Sequence, residues 1–235
     1  SKIFLKNKKL CRDCFSIARV SDKAFVSKDF EIRIKRNLKI HKDKTFKAIL
    51  LFEVVSNNGE EVELGKPFMR TSVTFSRRQG IQSVVVPRHR FQKHLKNAMS
   101  IRVTLRATST DGRLVDFDQE VIQLHIRKLH ISNLRRSGRM MVFDVTIKNP
   151  LRFPLNNVNL LIDEPYGDRT LNIGQLGNGA VKKTIKIPLL KKKGSKTMKQ
   201  RCAIVNAYAN ELFAMSGWEN IVCFDENTNK LSVNT

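Results

Sequence analysis

Four cysteines and five histidines are the residues of this 235-residue chain best suited to metal, redox or nucleophilic chemistry. Cys11-x-x-Cys14 is half of a zinc or dithiol pattern, but the other two cysteines, Cys202 and Cys223, lie roughly 190 residues away and form no second C-x-x-C. A thioredoxin-like role would need a βαβ setting, which the surrounding pattern lacks. The run 203–224 looks like a hairpin turning at Asn210-Glu211. A tight turn there sets Glu219 opposite Cys202, with Cys223 four residues further on. At ~3.3 Å per residue that is about 13 Å, too far for the ~5.5–6 Å Cα separation of a disulfide. The expectation is therefore four free thiols in a reducing, cytoplasmic setting. His41, His89, His94, His125 and His130 form no H-x-x-x-H or H-E-x-x-H pair, and His89 and His94 sit among cations that repel a metal ion. Gly174-Gln-Leu-Gly177-Asn-Gly179 lacks the Lys-Ser/Thr of a phosphate-binding loop and precedes a strand rather than a helix, so it reads as a turn. No nucleophile–base constellation stands out. The sequence points to no catalytic residue, no metal site and no cofactor.

What it offers instead is positive charge. Lys+Arg is 44 against Asp+Glu 21, a net +23. Both halves are basic: 26 basic and 13 acidic residues up to His125, 18 and 8 beyond it. The densest run holds Lys191, Lys192, Lys193, Lys196 and Lys199. A second contains Arg88, Arg90, Lys93 and Lys96, and a third Arg135, Arg136 and Arg139. These twelve are the candidate polyanion-binding residues, for an acidic protein or polymer surface such as tubulin tails, nucleic acid or anionic lipid. The competing reading is that the lysines only keep loops soluble and strand edges unpaired. With two Tyr, one Trp and no clustered aromatics, sequence-specific RNA recognition is not expected.

Such residues must be held by strands. Phe30 to Lys35, Val73 to Ser76, Ile101 to Arg106, Val142 to Ile147 and Thr184 to Ile187 each alternate apolar and polar, the pattern of half-buried antiparallel strands. Turn chemistry separates them: Asn57-Asn58-Gly59, Asp111-Gly112, Tyr166-Gly167-Asp168, Gly177-Asn178-Gly179. Only Arg90 to Ala98 looks helical, for one or two turns. Apolar residues make up 41% and 14 Phe are scattered along the chain, enough for one or two cores, and no apolar run approaches the ~18 residues of a membrane helix. About fourteen short strands without alternating helices is twice what one seven-stranded sandwich needs. The expectation is all-β: two tandem immunoglobulin-like antiparallel β-sandwiches, 29–126 and 127–235. Residues 1–28 would form an N-terminal arm or the tail of an upstream domain, and 188–201 a basic hairpin in the second sandwich.

The segment Phe143 to Leu155, with Asn149-Pro150-Leu151 inside it, resembles the last β-domain of transglutaminases, where a strand ends in an Asn-Pro-Leu turn and the chain re-enters the sheet. Gly177 to Pro188 resembles the turn and strand that follow. Ile204 to Tyr208 with Gly217 to Val222 resembles the closing hairpin. Ala48 to Asn58, Met69 to Ser76 and Arg90 to Arg106 are similar to the penultimate β-domain. The resemblance spans about 29–224 and implies the non-catalytic C-terminal sandwich pair of a transglutaminase-like protein, serving domain packing and protein interaction. That family's catalytic triad lies in an upstream core, so no catalytic residue carries over, though the parent protein could be a protein-glutamine γ-glutamyltransferase. Some members bind a purine nucleotide through basic residues on the first strand of the penultimate domain. Arg33 and Lys35 stand comparably, but Asp118 to Ile126 lacks the arginine and tyrosine that would complete the pocket, so no nucleotide is expected.

Overall fold

Alternation of apolar and polar side chains becomes strand almost wherever it occurs. The computed structural model describes residues 13–20, 23–56, 67–95, 100–165, 167–189, 200–212 and 218–234. The chain divides into two units, the first ending at Leu124 and the second starting at His125.

The first unit contains β1 (Phe15–Arg19), β2 (Ala24–Phe25), β3 (Phe30–Arg36), β4 (Phe46–Val55), β5 (Met69–Phe75), β6 (Ile81–Val86), β7 (Ser100–Ser109) and β8 (Leu114–His125, whose last residue is the first of the second unit). They form a three-stranded sheet, β1-β3-β6, and a five-stranded sheet, β2-β8-β7-β4-β5, with antiparallel ladders. The inward rows are fully buried: Ile32 and Ile34, Leu50 and Phe52, Ile101 and Leu105, Phe75. Phe15 meets Phe46 and Phe75 edge-on, with ring centroids 5.5 and 5.3 Å away. The β7–β8 hairpin turns at Asp111-Gly112. There Gly112 takes φ +80°, a region open to glycine, and donates its N–H to the Ser109 carbonyl.

The segment expected as an arm enters these sheets. β1 pairs with β3 along its whole length. On the side away from β3, the N–H groups of Phe15 and Ile17 donate to the carboxylates of Asp116 and Asp118, at 3.0 and 2.9 Å. Those carboxylates lie a hundred residues along the chain, so local pattern could not reveal them.

The second unit contains β9 (His130–Ser137), β10 (Met140–Lys148), β11 (Leu155–Glu164), β12 (Gly167–Leu176), β13 (Ala180–Pro188), β14 (Gln200–Tyr208), β15 (Glu219–Asp225) and β16 (Lys230–Val233). Again three strands, β13-β10-β9, and five, β12-β11-β14-β15-β16, form the two sheets. Phe143, Val145 and Ile147 from one sheet and Leu160, Ile162, Val205 and Val222 from the other are fully buried, and Trp218 is nearly so. The turn after β10 is held from within: the Asn149 amide donates to the carbonyls of Phe153 (2.8 Å) and Leu176 (3.2 Å), while its oxygen accepts from the Leu151 N–H (2.8 Å). Pro150, which cannot donate to a ladder, stands where the strand must stop.

The thiol reading is overturned. Cys202 and Cys223 are directly opposed on β14 and β15 and form a disulfide. Cys14 is also disulfide-bonded. The two-residue turn at Asn210-Glu211 does not form. Asn210–Leu212 is instead a 3-10 turn closed by Leu212 N–H to Ala209 C=O. Ala209 and Leu212 are both buried, and the ladder resumes with Ala207 N–H donating to Trp218 C=O. The connection is longer than a two-residue turn, Leu212 is buried within it, and the partner of Cys202 is Cys223 rather than Glu219. The shift is four residues, an even number, so every side chain stays on its face and the alternation could not distinguish the two registers. Disulfides persist in oxidising compartments, which runs against the cytoplasmic expectation. Among the described residues no helix is long and apolar enough to cross a membrane.

Candidate polyanion-binding surface

Two of the three basic runs fall on described structure at least in part. Lys191, Lys192, Lys193, Lys196 and Lys199, with most of the hairpin 188–201, lie outside the described residues, as does Lys96.

In the first unit, Pro87 ends β6 and starts a short helix, Arg88–Phe91, followed by a 3-10 turn, Gln92–His94. Fully buried Phe91 pins this segment, its ring centroid 5.7 Å from that of Phe30. The Gln92 side chain donates to the Val26 carbonyl at 2.7 Å. Arg88 is committed locally: its N–H donates to Asp29 and its guanidinium to the Ser27 carbonyl, at 2.8 and 2.9 Å. Arg90 and Lys93 are exposed. Of this run, they are the described cations turned to solvent.

In the second unit, cross-strand register places four cations on the outer face of β9–β10–β13. Val142 pairs with Arg135 on one side and Lys186 on the other. Asp144 pairs with Ser132 and Thr184, Thr146 with His130 and Lys182, and Lys148 with Ala180. Alternate residues share a face, so Arg135, Lys148, Lys182 and Lys186, all exposed, surround the single carboxylate of Asp144. With strands ~4.8 Å apart and ~3.3 Å per residue, neighbouring cations in this array stand roughly 8–13 Å from one another.

Asp144 sits at the floor of an open cleft of about 480 Å³ lined by Asn133, Leu134, Arg135 and Thr184. Its two oxygens accept from Asn133 Nδ2 and Thr184 Oγ1, both at 2.7 Å. Asn133 adopts φ +51° at the bulge where β9 slips against β10, which aims its amide at the carboxylate. These two hydrogen bonds, helped by the charges of Lys182 and Arg135, hold the Asp144 carboxyl below the usual aspartate range. Asp144 therefore stays ionised and anchors the array without cancelling it.

Arg136 and Arg139 behave differently from Arg135. Arg136 places its guanidinium 5.2 Å from the Phe224 ring centroid and donates to Asn229 and to the Gly138 carbonyl, so it ties β9 to the five-stranded sheet. Arg139 is exposed in the β9–β10 turn. The structure thus sets Arg135 in an array with Lys148, Lys182 and Lys186, none of the three a named candidate. Reading charge as linear runs missed them. Lysine at every second or fourth position of an edge strand, as in Lys182 and Lys186, was the signal that could have found them. Among the described residues, no three His, Cys, Asp or Glu side chains gather as metal ligands.

No family model matches the sequence, and no curated protein matches it. Solved structures do. A red sea bream transglutaminase aligns over 90% of this chain with a TM-score of 0.64 at 12% identity. A two-domain fibronectin type III segment of chicken tenascin aligns over 94% of this chain and 95% of its own length, with a TM-score of 0.38 at 8% identity. The chain spans 30% of the length of the transglutaminase. At 12% identity that likeness is one of fold, that of an all-β sandwich protein.

Proposed function

We propose that this chain is a non-catalytic β-sandwich module of a transglutaminase-like protein, acting in domain packing and protein interaction. The observation carrying this reading is the likeness to the sea bream transglutaminase over 90% of the chain, which agrees with the Asn149-Pro150-Leu151 turn and the closing hairpin. A chain of this kind transfers no acyl group by itself. Incubated with casein and dansylcadaverine, with and without calcium, it should give no fluorescent product. Incorporation abolished by a thiol-blocking reagent would overturn the reading.

The cation array favours a second reading: the module holds an acidic polymer through its basic surface. The disulfide supports placing that encounter in an oxidising compartment. The probe is fluorescent poly-L-glutamate followed by anisotropy. Binding should weaken steeply between low and physiological salt. It should also fall with reversal of Lys191, Lys192, Lys193, Lys196 and Lys199, or of Arg135, Lys182 and Lys186. Binding indifferent to both changes would exclude this reading.

A further inference from the structure

The sheet β1-β3-β6 has two edges, and they are treated differently. The N–H groups of Asn37 and Arg36 donate in opposite directions, to Cys14 C=O and Gly80 C=O respectively, each at 2.8 Å. Odd-numbered residues of β3 therefore bond toward β1 and even-numbered ones toward β6. By the register, Gln82, Val84 and Val86 of β6 bond back to β3, while Ile81, Ser83 and Val85 direct their N–H and C=O groups away from it. At the β1 edge the corresponding N–H groups of Phe15 and Ile17 are taken up by Asp116 and Asp118. At the β6 edge no described strand pairs.

Nor does β6 carry the usual protection of an edge. Natural edges are blunted by charge, proline or bulges; in the second unit, edge strand β13 carries Lys182, Lys183 and Lys186. The sequence of β6, Ile-Gln-Ser-Val-Val-Val, has no charge. Ile81 and Val85 are the two most exposed large apolar residues described, at 54% and 55%. They flank the small Ser83 on the outer face.

We infer that the β6 edge accepts an added antiparallel strand from another protein, one with an apolar–x–acidic–x–apolar pattern. Its apolar side chains would lie beside Ile81 and Val85, and its carboxylate beside Ser83. Behind Ser83, in register on β3, stands Arg33, half exposed, with Glu31 only at 3.9 Å. Ser83 is short enough for the guanidinium to reach over it toward the incoming acid. Main-chain bonds supply affinity in such strand addition, and alternate side chains supply selectivity. Charge argues against a second copy of this chain: Arg77 and Arg78 precede β6, Arg88 and Arg90 follow it, and an antiparallel β6–β6 pair would bring these ends together.

The test is selection of a displayed random decapeptide library on the intact chain. Enriched peptides should carry the apolar–x–acidic–x–apolar pattern, and on binding should slow hydrogen exchange at Ile81, Ser83 and Val85. Ser83→Pro removes an N–H that the β3 ladder does not use. It should therefore keep the protection of Gln82, Val84 and Val86 yet weaken selected peptides at least tenfold. Arg33→Glu should weaken the acidic peptides selectively. Should Ser83→Pro fail to fold, Val85→Lys serves by placing charge on the edge, with the same tenfold loss expected. Failure to enrich any peptide, equal binding to the edge variants, or a Val85→Lys-sensitive dimer of the chain itself would each overturn the inference.

Discussion

Single side chains do much of the work of closing loops here, and Asn149 is the clearest case. It is buried and satisfies two carbonyls and one N–H within a turn that has no ladder of its own. Asn149→Ala should cost about 2 kcal/mol, because the carbonyls of Phe153 and Leu176 lose their donor while remaining poorly hydrated. The chain's single tryptophan, Trp218, lies in this unit, so urea unfolding followed by its fluorescence reads the loss directly. Two aspartates should give pH dependences of opposite sign. Asp144 is held below the usual range by Asn133 and Thr184. Its stabilisation is complete above the unfolded aspartate value of about 3.9 and is lost as pH falls through the lower folded value. Asp144→Asn should therefore lower the urea midpoint at pH 7, and the gap should close in acid. Asp163 faces Asp168 directly across β11 and β12, and a shared hydrogen bond together with like charge raises its pKa. That pair is most stable below about pH 3.9, and the stability is lost as pH rises through the raised value. Asp163→Asn should raise the midpoint at pH 7 and leave it unchanged in acid.

Between β14 and β15 the cross-link converts a hairpin with a long connection into a closed element. The bridged cysteines are 21 residues apart, and closing a loop of that size stabilises by roughly 3 kcal/mol on the chain-entropy account. Replacing this one cross-link (Cys202→Ala with Cys223→Ala), which leaves the disulfide at Cys14 in the first unit intact, should lower the stability of the second unit by about that much, seen as a shifted Trp218 transition, and leave the first unit's transition unmoved. A first-unit shift of equal size would contradict this. The sheet elements also explain why linear charge density was a poor guide. Arg136, inside a dense run, spends its charge on Phe224 and Asn229, whereas Lys148, from no named run, stands on the cation face.

Taken whole, the molecule is two units, each with a three-stranded and a five-stranded sheet and its own buried apolar rows. Residues 125–235 expressed alone should unfold cooperatively, with Trp218 emission as blue-shifted as in the full chain; a red-shifted, non-cooperative fragment would contradict this. The net charge of +23 spread over both units makes salt a control in every such comparison, because self-repulsion lowers stability at low ionic strength.

Read by itself, the sequence determined the class of the fold and many of its strands, though not β1 or β2, because period-2 alternation and turn residues are local and each strand states which of its faces is buried. Asp111-Gly112 was legible for that reason, whereas Asn149-Pro150-Leu151 was legible only through its resemblance to a known β-domain. The tertiary structure alone decided register and distant partnership. An even slip leaves alternation unchanged, so the choice of Cys223 over Glu219 as the partner of Cys202 was made only in three dimensions, where Leu212 is buried and the two cysteines are bridged. Nothing near Phe15 announces Asp116. Nor does any run of lysines announce that Arg135, Lys148, Lys182 and Lys186 share a face, because that depends on which strands lie side by side. The unprotected edge of β6 belongs to the same category: its apolar sequence was visible, but that it stands last in its sheet was settled by topology.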